Sequence, residues 1–129
     1  MSQIAIFILL AAHCIGDYPM QGEFLATYKS KDNLVLLVHC IIYTAFMTVG
    51  FVLSMILLDI SITTSIINLI IFIMIVSHFL IDKWKCVYRD KLYARTDISD
   101  VERQKLDVRS YYTDQALHIL ILVILYVLI

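Results

Sequence analysis

The sequence predicts an all-α polytopic membrane protein, a four-helix transmembrane bundle with a short cytoplasmic helical loop. Three observations predict it. Hydrophobic residues make up 61% of the 129 positions, against roughly 45 to 50% apolar in soluble domains, and the mean hydropathy is +0.87. Charged residues are only 16% and are gathered between long apolar segments, too few to cover a soluble surface. Each of the four histidines falls in a different apolar segment.

The helices are expected at about 2–18, 33–58, 60–88 and 108–129, all within a single integral-membrane domain, 1–129. The first has a short apolar run, IAIFILLAAHCI, against the roughly 20 residues of a full span, and is expected to be thin or tilted. Its length also suits a signal-peptide core, but it has no basic start and no small-residue cleavage site, and it carries His13 and Asp17, which match pairs downstream. The second and third have the length that the hydrocarbon core demands. Only Asp59 and its neighbours separate them, which predicts a tight hairpin. The fourth is completed by Tyr111 and Tyr112 at the membrane interface. Polar connections fill 19–33 and 82–110. In the second, Ser99 and Glu102 have capping-box spacing, so a short cytoplasmic helix should begin at about Asp100.

All ten Lys and Arg lie in these two connections. The positive-inside rule makes them cytoplasmic, with both termini and the Asp59 turn outside. The histidines then share one depth. His13 is late in its helix, His39 early, His78 late and His118 early, so alternating directions bring all four to the cytoplasmic half.

Three of these histidines have an aspartate four residues away: His13 with Asp17, His78 with Asp82, His118 with Asp114. That spacing puts each pair on one helix face, and independent placement would yield three such pairs only about twice in a hundred tries. A helix can supply two metal ligands this way without bending. The candidate metal residues are therefore His13, Asp17, His39, His78, Asp82, Asp114 and His118. Read singly, the aspartates also suit helix ends, and a lone intramembrane histidine suits an interhelical hydrogen bond.

Tyr43 follows His39 by one turn, a phenol where the other histidines have a carboxylate, and is a candidate to orient substrate or donate a proton. Gln21 continues the spacing His13, Asp17, Gln21, with Pro19 expected to break the helix between them. Lys85 lies three residues after Asp82 and is a candidate for supporting that carboxylate or, with Arg109, for attracting an anionic substrate. Gln115, beside Asp114, is a candidate supporting residue that faces another direction. Cys14, Cys40 and Cys86 have no CxxC spacing and are expected to pack. Nucleotide-binding and nucleic-acid motifs are absent from the sequence.

At these residues the chain resembles a known family. HCIGDYPMQ, HCIIY, HFLIDKWK and DQALH together resemble the small phage and bacterial membrane proteins grouped as domain of unknown function 3307, over nearly the whole chain. That group is distantly similar to bacterial inner-membrane proteins named membrane-bound metal-dependent hydrolases. The resemblance implies a hydrolase in the bacterial inner membrane, and its polar set maps onto His13, Asp17, Gln21, His39, His78, Asp82, Asp114 and His118.

The resulting expectation is a zinc-dependent membrane hydrolase with its site facing the cytoplasm, acting on an ester, amide or phosphoester of a lipid-like or membrane-proximal small molecule. Imidazole and carboxylate donors suit Zn²⁺, one or two ions, with an open position for a water of pKa about 7. One zinc on His13, His78 and His118 is favoured, with Asp17 as general base. Membrane lipids are the expected partners, along with a homo-oligomer, and no nucleic acid. The same residues also suit a divalent-cation or proton transport protein, or a non-enzymatic phage membrane effector.

Overall fold

The computed structural model describes residues 3–128; it is 84% helix, with no strand among the described residues. The helices are α1 (Gln3–Asp17), α2 (Gly22–Tyr28), α3 (Asn33–Leu57), α4 (Thr64–Tyr93) and α5 (Asp100–Leu128). They divide into two units, Met1–Val76 and Ser77–Ile129, with α4 running from one into the other.

In the first unit, α1 buries a stripe of Ala5, Leu9, His13, Gly16 and Asp17, four and three residues apart. That is one face of a 3.6-residue helix. It packs antiparallel on the α3 stripe that includes His39, Tyr43, Met47, Gly50 and Ser54. Small residues set the separation. A Cβ on Gly50 would stand 2.8 Å from Ala12 Cβ, and one on Gly16 would stand 3.1 Å from Tyr43 Cδ2. Ser54 Oγ donates to the Gly50 carbonyl at 2.8 Å and reaches the Ala5 carbonyl at 3.4 Å. Close approach of this kind drives association where lipid removes the hydrophobic force between helices.

Helix α3 starts where Asp32 Oδ1 accepts the Leu34 N–H at 2.7 Å, a side-chain cap on an otherwise orphaned donor. It ends in a Schellman arrangement: Ile60 N donates to Met55 O at 3.0 Å and Asp59 N to Ile56 O at 3.2 Å. Asp59 takes the left-handed position, with φ of 54°. Aspartate tolerates that region better than most residues with a Cβ.

The second unit is an antiparallel pair of helices. From α4 the buried residues include His78, Asp82 and Cys86, and from α5 Ser110, Asp114, His118 and Leu122, each four apart. Arg89 Nε meets Asp107 Oδ1 at 3.1 Å, and Tyr93 donates to Asp107 Oδ2 at 3.0 Å. Between the helices, Arg95 pairs with Asp97 at 2.7 Å and holds its carboxyl down to about 2, chiefly through that hydrogen bond.

Several expected boundaries differ. The connection 19–33 contains a helix, α2, which leaves α1 at a 75° bend. Pro19 does break α1, and Gly22, with φ of 60°, turns the chain into α2. The third helix begins at Thr64 and runs on to Tyr93 because no glycine or proline interrupts it. The hairpin linker is accordingly longer than the tight turn expected. The helix expected from Asp100 is not a separate element but the first part of α5. Ser99 Oγ caps it by accepting the Glu102 N–H at 3.2 Å, and nothing between Asp100 and Leu128 breaks it. Residues 2 and 129 of the expected helices lie outside the described residues.

Among the described residues three helices, α3, α4 and α5, are long and apolar enough to cross a membrane, or four spans if the bent α1 and α2 form one. Polarity is inverted relative to a soluble protein. Buried positions hold His13, Asp17, His39, His78, Asp82, Asp114 and His118, while Leu34, Ile56, Leu69, Phe72 and Leu128 are exposed. Ionisable residues inside and apolar ones outside are the pattern of a chain solvated by lipid.

Candidate metal centre

Every candidate metal residue is buried in one of the two units. In the first unit, Asp17 closes α1 and faces His39 on α3, with Oδ1 3.3 Å from Nε2. This corrects the reading that His39 lacks a carboxylate: the partner comes from another helix, where spacing along the chain could not find it. His13 Nδ1 and the Tyr43 hydroxyl are hydrogen-bonded at 3.0 Å, their rings edge to face. The glycine at position 16 lets α1 approach the Tyr43 backbone closely enough for that bond; a Cβ there would be 3.3 Å from Tyr43 Cα. Tyr43 therefore serves a histidine on a neighbouring helix. Gln21, in the amide orientation that satisfies both its atoms, donates to the Asp17 carbonyl at 2.8 Å and accepts from Lys29 at 3.0 Å. It braces the turn through the Asp17 backbone.

The second unit assembles three donors by itself. His78, Asp82 and His118 are each buried and each offers a ligand atom, all within 4.8 Å of one another. His78 Nε2 stands 3.8 Å from Asp82 Oδ2, and His118 Nε2 stands 3.7 Å from Asp82 Oδ1. The two rings lie with centroids 4.2 Å apart. These nitrogen–oxygen separations exceed hydrogen-bond length, about 2.7 to 3.2 Å. They approach the roughly 3.4 Å between neighbouring ligands of a tetrahedral ion bonded at about 2.0 to 2.1 Å. His118 Nδ1–H donates to the Asp114 carbonyl at 2.9 Å, which fixes the tautomer that leaves the Nε2 lone pair facing Asp82.

Asp114 has a different place from the one its spacing suggested. Its Oδ2 accepts from Lys85 Nζ at 2.7 Å and from Gln115 Nε2 at 3.1 Å, while Oδ1 lies 3.8 Å from His118 Nδ1. The carboxylate is thus held beside the three-donor set, on the far side of the His118 ring. Lys85, with Nζ 4.9 Å from the Tyr111 ring centroid, is committed to this carboxylate. Gln115 reaches the same oxygen although it projects from an adjacent helical position. Among the cysteines, Cys40 and Cys86 are buried and Cys14 is exposed, and none of the three forms a disulfide among the described residues.

The described residues form helices and no strand, three helices or four spans among them are long and apolar enough to cross a membrane, and the second unit buries a His/Asp cluster, a pattern compatible with helical membrane proteins that have polar interiors. The chain belongs to the protein family of unknown function DUF3307, whose family model matches residues 5–129. No curated protein and no solved structure matches it.

Proposed function

We propose that this chain is a polytopic bacterial inner-membrane protein that holds zinc on His78, Asp82 and His118 and hydrolyses an ester, amide or phosphoester in a lipid-like or membrane-proximal substrate. One observation carries the reading. Two imidazole nitrogens face the two oxygens of one buried carboxylate at 3.7 and 3.8 Å, too far for hydrogen bonds and near the spacing of shared ligands. Two histidines and one carboxylate are a donor set of catalytic zinc sites, which keep a position open. Zinc bound there would supply Lewis acidity toward a carbonyl or phosphoryl oxygen.

The surrounding residues have roles that follow from their contacts. The Asp114 carbonyl orients His118, and Lys85 and Gln115 hold the Asp114 side chain. Support for a cytoplasmic site comes from the basic residues, all of which lie in 19–33 and 82–110.

Metal analysis of detergent-purified protein tests this directly. Near-stoichiometric zinc is expected, with loss in His78→Ala and His118→Ala, followed by product detection by mass spectrometry on a lipid and ester panel. Absence of metal across preparations would remove the proposal. Zinc with cation flux into liposomes but no product would replace hydrolysis by transport.

A further inference from the structure

We infer that the exposed face of α5 binds one anionic phospholipid, with its phosphate between Lys105 and Arg109 and an acyl chain along Ala116, Leu117 and Leu120. A shallow recess of about 600 Å³ runs along this face, lined by these residues together with Tyr112. Positions 105, 109, 112, 116 and 120 are spaced four and three apart and so share one side of the helix. Ala116 is two residues from both Asp114 and His118, about 200° around the helix, so the recess faces away from the proposed zinc ligands. A lipid there is a bound partner and not the substrate.

Charge and length select this occupant. Four other cations of the second unit are paired, Lys85 with Asp114, Arg89 with Asp107, Arg95 with Asp97 and Arg103 with Asp100, and the exposed Lys91 is not among the residues lining the recess. Lys105 and Arg109 have no acidic partner among the described residues and are exposed. Tyr112 is exposed one turn further along, where aromatic side chains sit at headgroup level. From Arg109 to Leu120 the helix rises about 17 Å at 1.5 Å per residue, close to half of a hydrocarbon core of about 30 Å. The order of basic, aromatic and apolar side chains therefore reproduces that of phosphate, interface and chain in one leaflet. This inference rests on α5 crossing a membrane, the reading proposed above.

The test uses the full chain in neutral detergent, titrated with phosphatidylglycerol and separately with phosphatidylcholine, with bound lipid counted by native mass spectrometry. Phosphatidylglycerol should bind at least about tenfold more tightly, and the double variant Lys105→Gln/Arg109→Gln should lose roughly thirtyfold of that affinity, on the scale of two basic residues at a membrane surface. Phosphatidylcholine binding should not change, and Lys91→Gln, an exposed lysine on α4, should bind as wild type. Equal phosphatidylglycerol binding by wild type and double variant, with circular dichroism showing both folded, would overturn the inference. So would displacement of the lipid by millimolar inorganic phosphate, which would make the site one for a soluble anion. Recovery of the protein in a carbonate-soluble fraction is a separate failure, that of the membrane-spanning reading itself.

Discussion

Asp82→Asn is the sharpest perturbation of the proposed centre, because one side chain faces both imidazoles, at 3.7 and 3.8 Å. Asparagine keeps the volume and one carbonyl oxygen but removes the charge that would complement a dication, so the apo fold should survive while the metal is lost. Four-ligand zinc sites have apparent binding free energies of about 10 to 16 kcal/mol, or about 2.5 to 4 kcal/mol per ligand. At 1.4 kcal/mol per decade, the variant should bind zinc about two to three orders of magnitude more weakly. Thermal shifts follow by linkage. At zinc a hundredfold above the wild-type dissociation constant the wild type gains about 2.7 kcal/mol, whereas a hundredfold weaker variant at the same zinc gains only about 0.4 kcal/mol. Competition against a chromophoric chelator gives the affinities, and melting in detergent with and without zinc gives the linkage. A variant that binds zinc within about threefold of wild type, with an unchanged zinc-induced shift, refutes the assignment of Asp82 and with it the three-donor centre.

Lys85→Met should destabilise the second unit by about 2 kcal/mol, between an exposed pair and a fully buried one, since Lys85 is part-exposed and Gln115 still serves the same Asp114 oxygen; reversible detergent unfolding measures it, and a loss under about 1 kcal/mol counts against the pair. Gly50→Ala should cost up to about 2 kcal/mol, crowding of about 1 to 3 kcal/mol being offset by the roughly 1 kcal/mol gained in helix propensity; unchanged unfolding would mean that Ala12, 2.8 Å away, can yield. Asp97 should titrate at about 2 by carboxyl NMR, below its ordinary 3.8. Its pairing with Arg95 therefore contributes fully above about pH 4 and is lost as pH falls through about 2; Arg95→Gln should return the midpoint toward the ordinary value.

The polar interior was legible in the sequence because helical spacing encodes it. His78 with Asp82 and Asp114 with His118 declare a shared face by being four apart, and each member is buried. Partners on different helices leave no such trace. The Asp17–His39 and His13–Tyr43 contacts depend on how near α1 lies to α3, which Gly16, Ala12 and Gly50 decide through their missing bulk. Asp114 shows the opposite failure: its spacing implied a ligand, but Lys85, from the neighbouring helix, takes its carboxylate. Helix α2 was hidden because GEFLATY is only seven residues long and its start depends on the left-handed conformation of Gly22. The continuity of α5 was concealed by the charges of its first turns, which change the solvent around a helix without breaking it.

The contacts between α4 and α5 come at successive levels along their length: His78 against His118, Lys85 on Asp114, and Arg89 and Tyr93 on Asp107. Together they act as a register lock. Sliding one helix past the other by a turn, about 5.4 Å, would sever all of them at once, including the part-buried Lys85–Asp114 ion pair. A piston stroke between these two helices is therefore not available as a working motion. The paired stretches of α4 and α5 keep one fixed register, set by contacts within this unit alone.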